Sequence, residues 1–309
     1  MKENNKAGIA SKRTWTAQKA ADSMHSRSKS RKAPSFAVTA LFIFLLLAVL
    51  VTVFPILYAV LSSFKGKEEF LMGGARLFPE SFAWENYSIA WKMANFAVYT
   101  LNSILISAGT VIGAIVVSSM AGFTLSRLRF PGKKLLVGSF SLTLFISGVV
   151  IVYPLFRLCQ SLGMTNNLWG MIIVQISIGM VVDIFLMTNY CDGISREIDE
   201  AAKIDGCGFF KTYLRIIMPV IKPIIATVGL LEFKNAWNNY LIPLAFTLSN
   251  KAIRPLTVGV ISLKDSNEGI SSWNLMVAGA VMSIVPILIV YIFMNRFFIA
   301  GMTEGAVKG

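Results

Sequence analysis

Charge is scarce in this 309-residue chain: only 15% of residues are Asp, Glu, Lys or Arg, against 55% hydrophobic, and mean hydropathy is +0.65. A soluble globular domain carries about 25% charged residues. The deficit, gathered into long uninterrupted apolar runs, reads as an integral membrane protein. Histidine is nearly absent too. The one copy, His25, sits in the polar N-terminal segment, which removes most histidine-based catalysis and metal chemistry. Cys159, Cys191 and Cys207 are odd in number, far apart and without a CxxC pair, so neither a disulfide framework nor a zinc site follows. Nucleotide and hydrolase motifs are missing as well: "FPGKK" (Phe130–Lys134) lacks the first glycine and the hydroxyl of a phosphate-binding loop, and no HExxH, GxSxG or GxGxxG occurs. The chain has no visible means of hydrolysing ATP and no catalytic constellation. If it moves a cargo, the energy comes from an ion gradient or from a partner chain.

What is present is a set of span-sized intervals between charge clusters. Charge-free runs lie between Lys32 and Lys65, between Lys92 and Arg127, and between Lys134 and Arg157. A fourth is interrupted by Asp183, a fifth follows Lys222 and carries Glu232 and Lys234, and a sixth runs from about Asn274 to Asn295. Crossing the hydrocarbon core takes roughly 20 apolar residues in a helix, the conformation that satisfies its own backbone. The expected fold is therefore all-α, a polytopic protein with six transmembrane helices over residues 33–300. Placing both termini and the second and fourth loops in the cytoplasm puts 20 of the 29 lysines and arginines on that side. This bias accounts for the net charge of +13 without any nucleic acid. Residues 1–32, rich in Ser, Lys and Arg, read as a disordered basic cytoplasmic tail, with anionic membrane lipid as a weaker partner, and 301–309 as a cytoplasmic C-terminal tail.

The fourth loop, about 194–219, is unlike the others. Ser195 is placed to cap a helix whose first turn holds Glu197, Asp199 and Glu200, acids suited to the positive end of its dipole. Ile198, Ala201 and Ala202 share a face, Gly206 suits the left-handed position after a helix, and Pro219 and Pro223 shape the start of helix five. Helices resting on lipid favour basic polar faces, and this one leads with acids. A surface that docks another protein is the better reading.

"EAAKIDGCGFFKTYLRIIMP" (Glu200–Pro219) resembles the EAA loop of importer permeases of the ATP-binding-cassette class, with Met218 in place of the usual leucine. "AGFTLSRLRFPGKKLL" (Ala121–Leu136), "AWNNYLIPL" (Ala236–Leu244) and "FFIAGMTEGAVKG" (Phe297–Gly309) resemble segments of the carbohydrate-uptake subgroup, on the side of the second permease of the maltose transporter. The resemblance implies a sugar-importing permease in a bacterial cell membrane, working by alternating access. Implied partners are a homologous second permease, two ATPase subunits that bind the ATP, and an extracytoplasmic solute-binding protein; no cofactor belongs to this chain. It also implies that Glu200, Ala201, Ala202, Asp205 and Gly206 form the coupling helix, that Thr303, Glu304 and Gly305 are a secondary ATPase contact, and that the segment around "RPLTVGV" reaches the binding protein.

Polar groups inside the spans are functional by default, because burying them in lipid is costly. Trp237, Asn238, Asn239 and Tyr240 suit a sugar through ring stacking and amide hydrogen bonds; hydrogen bonding to the partner permease is the other reading. Asp183 stays open between a functional position and a solvated one near the cytoplasmic boundary. Together with Glu232 it also prompts an alternative, an ion-coupled secondary transporter. Glu232 and Lys234, two apart, do not share a helix face.

Overall fold

In the computed structural model of the protein, residues 36–72, 76–265 and 272–306 are described. The N-terminal tail expected over 1–32 lies outside them. The described residues are helical, with no strand among them. They fall into two compact units, residues 1–57 and 58–309, each described by itself. The first contributes most of α1 (Phe36–Ser62), whose side chains from Ala37 to Leu57 are exposed on every face. A helix that is apolar all round belongs in lipid or against another membrane chain. Within this stretch the Thr52 hydroxyl bonds back to the Ala48 carbonyl at 2.8 Å.

The second unit contains α2 (Lys67–Met72), α3 (Glu85–Met93), α4 (Phe96–Arg127), α5 (Lys133–Thr143), α6 (Gly148–Ser161) and α7 (Leu168–Asp192). Then come α8 (Glu197–Ile204), α9 (Phe209–Val220), α10 (Lys222–Asn238), α11 (Leu241–Phe246), α12 (Leu256–Ser262) and α13 (Trp273–Ala306). At its centre α4 packs along α7 and α10, and α10 packs along α13. The reason lies in small residues. A Cβ at Gly122 would stand 2.5 Å from Met187 Cβ and 2.9 Å from the Thr188 nitrogen, so only glycine lets α4 approach α7 there. Ser103, Ser107, Thr110, Ala114, Ser118 and Ser119 extend the same buried face. Close backbone approach of this kind is how helices associate where lipid removes the hydrophobic drive.

The expectation of six spans is met with a change in form. Four helices (α1, α4, α7, α13) are long and apolar enough to cross a membrane. Two bent pairs, α5 with α6 at 107° and α9 with α10 at 78°, bring the number to six when each pair is one span. Uninterrupted apolar composition does not reveal a bend. The second bend falls at Ile221 between Pro219 and Pro223, where prolines remove backbone donors.

The fifth span is also short. α10 has 17 residues, about 25 Å at 1.5 Å per residue. It stops at Asn239, whose side-chain oxygen accepts from the Ile242 nitrogen (3.2 Å) to start α11. The "RPLTVGV" segment does not project outward as a whole. Leu256, Val258 and Val260 are buried, the Leu256 nitrogen donates to Ser103 Oγ (2.8 Å), and Asn102 Nδ2 donates to the carbonyls of Ala252 (2.9 Å) and Arg254 (3.0 Å). Asn86 likewise ties the first loop to the last helix, donating to the carbonyls of Ser63 and Lys65 while its Oδ1 accepts from Asn274 Nδ2 at 3.0 Å.

Candidate functional site

The loop after α7 is built as a short helix with a fixed end. Ser195 Oγ accepts from the Glu197 nitrogen at 3.3 Å, the local bond of a turn rather than a full helix cap. At the other end Gly206 has φ +75°, the Gly206 nitrogen donates to the Lys203 carbonyl (3.0 Å), and the Cys207 nitrogen donates to the Ala202 carbonyl (2.8 Å). That pair of bonds is the Schellman closure, so the role expected of Gly206 holds.

The faces of α8 differ from expectation at one residue. Ile198 and Ala202 turn inward, and Ala202 is 2% exposed. Ala201 is on the open side with Glu200, Lys203 and Asp205, and beside them Ile204 is 87% exposed. Ala202 therefore serves packing within this chain, and close approach by another surface is available only at Ala201. The boundary between the packed and the open side of this helix falls between the two alanines, which lie about 100° apart around its axis.

Arg127, at the last residue of α4, anchors the loop. Its Nε lies 2.6 Å from Asp199 Oδ2, with both side chains largely buried, and one terminal nitrogen donates to the Ile194 carbonyl at 3.1 Å. Neither Asp199 oxygen is aligned for a hydrogen bond, so the contact is a charge contact. Beside it Ser126 Oγ donates to Asp192 Oδ1 (2.6 Å), Phe123 stacks on Phe209 with ring centroids 4.8 Å apart, and Ser119 and Tyr213 share a hydroxyl bond of 2.8 Å. Tyr213–Ile217 forms a π-turn, which rotates α9 so that Tyr213 and Ile217 both face the core. Between α4 and α8 opens a cleft of about 200 Å³ lined by Arg127, Arg196, Asp199, Glu200 and Lys203. Sequence reasoning placed Asp199 among dipole-favouring acids and missed its partner. The signal available was Arg127 in "AGFTLSRLRF", a lone arginine closing an apolar helix.

The candidates of the fifth span are not brought together as expected. Trp237 is 2% exposed and stacks on Phe233 (5.6 Å) within a cluster containing Phe96, Tyr99 and Leu256, so its ring offers no platform to a ligand. Asn238 is exposed and its amide donates to the Lys234 carbonyl (2.9 Å), while Asn239 and Tyr240 are half-buried at the break. Glu232 is buried and Lys234 exposed, as their spacing requires. Asp183 is 2% exposed, which rules out the solvated reading within this fold. Thr303, Glu304 and Gly305 fall in the last turns of α13, and their side chains lie outside the described residues.

The sequence profile of a transporter family, the binding-protein-dependent transport system inner membrane component, matches residues 114–300. That interval holds α4 from Ala114, the α8 loop and the broken fifth span. The chain belongs to this family. A probable ABC transporter permease of Bacillus subtilis, YurM, is 30% identical over 288 residues, covering 92% of this chain and 93% of its own length. The arabinooligosaccharide transport permease AraQ of Halalkalibacterium halodurans is 32% identical over 262 residues, covering 84% and 92%. In fold the chain is similar to a crystal structure of a bacterial ABC transporter involved in importing the acidic polysaccharide alginate, with TM-score 0.73 and 24% identity over 87% of this chain and 99% of that one. The permease is thus a multi-pass membrane protein and a transport component, not an enzyme. Its family is driven by a binding-protein-dependent ABC system, which sets aside the ion-coupled alternative.

Proposed function

We propose that this permease is one half of the membrane path of an ATP-driven importer for sugars or oligosaccharides, and that α8 is the element through which ATP hydrolysis moves it. The observation that carries the coupling role is the brace between α8 and α4. A helix that transmits force must be exposed to its driver and rigidly joined to what it moves. α8 offers Glu200, Ala201, Lys203 and Ile204 to the outside, and Arg127, Phe123 and Ser119 join the loop to the central helix. Arabinooligosaccharide transport by AraQ and alginate import by the solved transporter support a carbohydrate cargo.

On this reading two ATPase subunits, which hold the ATP, seat α8 from the cytoplasm. A second permease completes the path, and a solute-binding protein delivers the sugar from outside. Both termini are cytoplasmic, consistent with the basic-residue bias, and the secondary ATPase contact falls at Thr303–Gly305. The test is Glu200→Lys, measured by copurification of the ATPase subunit and by sugar uptake. Copurification is expected to fall while membrane insertion persists. Unchanged copurification and uptake would contradict the assignment.

A further inference from the structure

Among the buried polar side chains without a hydrogen-bond partner, one borders a cavity inside the bundle. Gln175 on α7 is 5% exposed, and neither its Oε1 nor its Nε2 has a hydrogen-bond partner. It lines a cavity of about 340 Å³ between α7 and α10. Facing it is Glu232, 3% exposed, whose Oε1 accepts from Asn235 Nδ2 at 3.2 Å. Gly179 makes room for that carboxylate: a Cβ there would stand 2.5 Å from Glu232 Oε1 and 3.0 Å from Oε2. One helical turn from Gly179, Asp183 is buried with its Oδ2 unpartnered and lies close enough to Glu232 for their charges to interact.

Burying such groups without partners is costly, and folded proteins satisfy them with water or ligand. Packing alone would be served as well by leucine at 175. A volume of this size falls within the range of small-molecule sites, roughly 300–1,000 Å³. The lining chemistry narrows the occupant. The Gln175 amide both donates and accepts, the Glu232 carboxylate accepts, and Asn235, Asn238 and Asn239 add further amides. Apolar lining comes from Ile178, Ala236 and Ile242, with no aromatic ring among the lining residues. A compound bearing vicinal hydroxyls satisfies such a wall, since each hydroxyl donates and accepts. A carboxylated sugar would meet the buried carboxylate of Glu232, and the one cation lining the cavity, Lys234, is on its exposed rim.

We infer that the α7–α10 cavity is a hydrogen-bonding subsite for a neutral, hydroxyl-rich ring, with Gln175 and Glu232 as its contacts and Gly179 as the residue that seats the carboxylate. This rests on the sugar-importer reading above. The experiment uses the full complex, with its second permease, ATPase and binding protein, in proteoliposomes. Uptake is measured for radiolabelled maltotriose, cellotriose, arabinotriose and trigalacturonate. The parental complex is expected to carry at least one neutral trisaccharide and not trigalacturonate. Glu232→Gln and Gln175→Leu are each expected to lower that uptake by about tenfold or more, the loss of one buried polar contact, with the second permease still copurifying. Parental uptake by both variants overturns the subsite. Loss of the second permease overturns it too, by making these residues contacts between the two permeases, as does preferential uptake of trigalacturonate. If the parental complex carries none of the four, the sugar reading fails and this inference fails with it.

Discussion

The α8 loop and the α7–α10 cavity are both polar interruptions of an apolar protein, yet they treat their polar groups in opposite ways. At the loop, charges and hydroxyls are held against one another: Arg127 to Asp199 by a charge contact, Ser126 to Asp192 and Ser119 to Tyr213 by hydrogen bonds, with Gly206 closing the helix end. In the cavity, neither amide atom of Gln175 has a partner. Polar groups paired in a buried site stiffen the packing of the elements they connect, which lets the loop transmit displacement. An unpaired amide is available to something that comes and goes. The difference separates the part of the permease that is pushed from the part that holds.

Substitutions can break that contrast or sharpen it. The largest effect is expected from Arg127→Ala. It leaves Asp199 buried without its counter-charge, and breaking a buried pair costs about 3–5 kcal/mol. The melting temperature of the solubilised complex should fall and transport should be lost. Gly122→Leu comes next. Its side chain would enter backbone and Cβ of Met187 and Thr188, and overpacking of this kind costs about 1–3 kcal/mol. Limited proteolysis should then cut the α4–α7 region faster. Gly206→Ala places a Cβ in the left-handed region at φ +75°, a cost of about 1–2 kcal/mol. Weaker transport at unchanged expression is the expected readout. The smallest stability effect belongs to Gln175→Leu. Because its amide has no protein partner, the change should preserve or raise the melting temperature, the reverse of Arg127→Ala.

Much of this was legible in the sequence, and the residues explain which parts were not. Glu200, Gly206 and Pro219 carry spacing that survives as local geometry, so the short helix, its closure and the turn into the fifth span could be read directly. The all-α fold followed from apolar runs long enough to cross a membrane. Bends of 107° and 78° did not, because composition along a run is the same whether it is straight or broken. Trp237 was read as a stacking platform from its residue type, and Ala201 was placed on one face with Ile198 and Ala202; tertiary packing buries Trp237 and leaves Ala201 on the open side. Arg127 and Asp199 are 72 positions apart and meet only because small residues bring α4 onto α7. Gln175 sits in an otherwise apolar helix and becomes informative only once its lack of a partner is seen.

The central claim is that the Arg127–Asp199 pair joins the driven loop to the moving helix. A charge swap tests it most directly, with uptake and ATP hydrolysis measured together in the reconstituted complex. Arg127→Asp and Asp199→Arg should each abolish uptake while ATPase subunits still bind and hydrolyse ATP, and the double variant should restore uptake. Single variants that transport at the parental rate, or a double variant no better than either alone, would contradict the account.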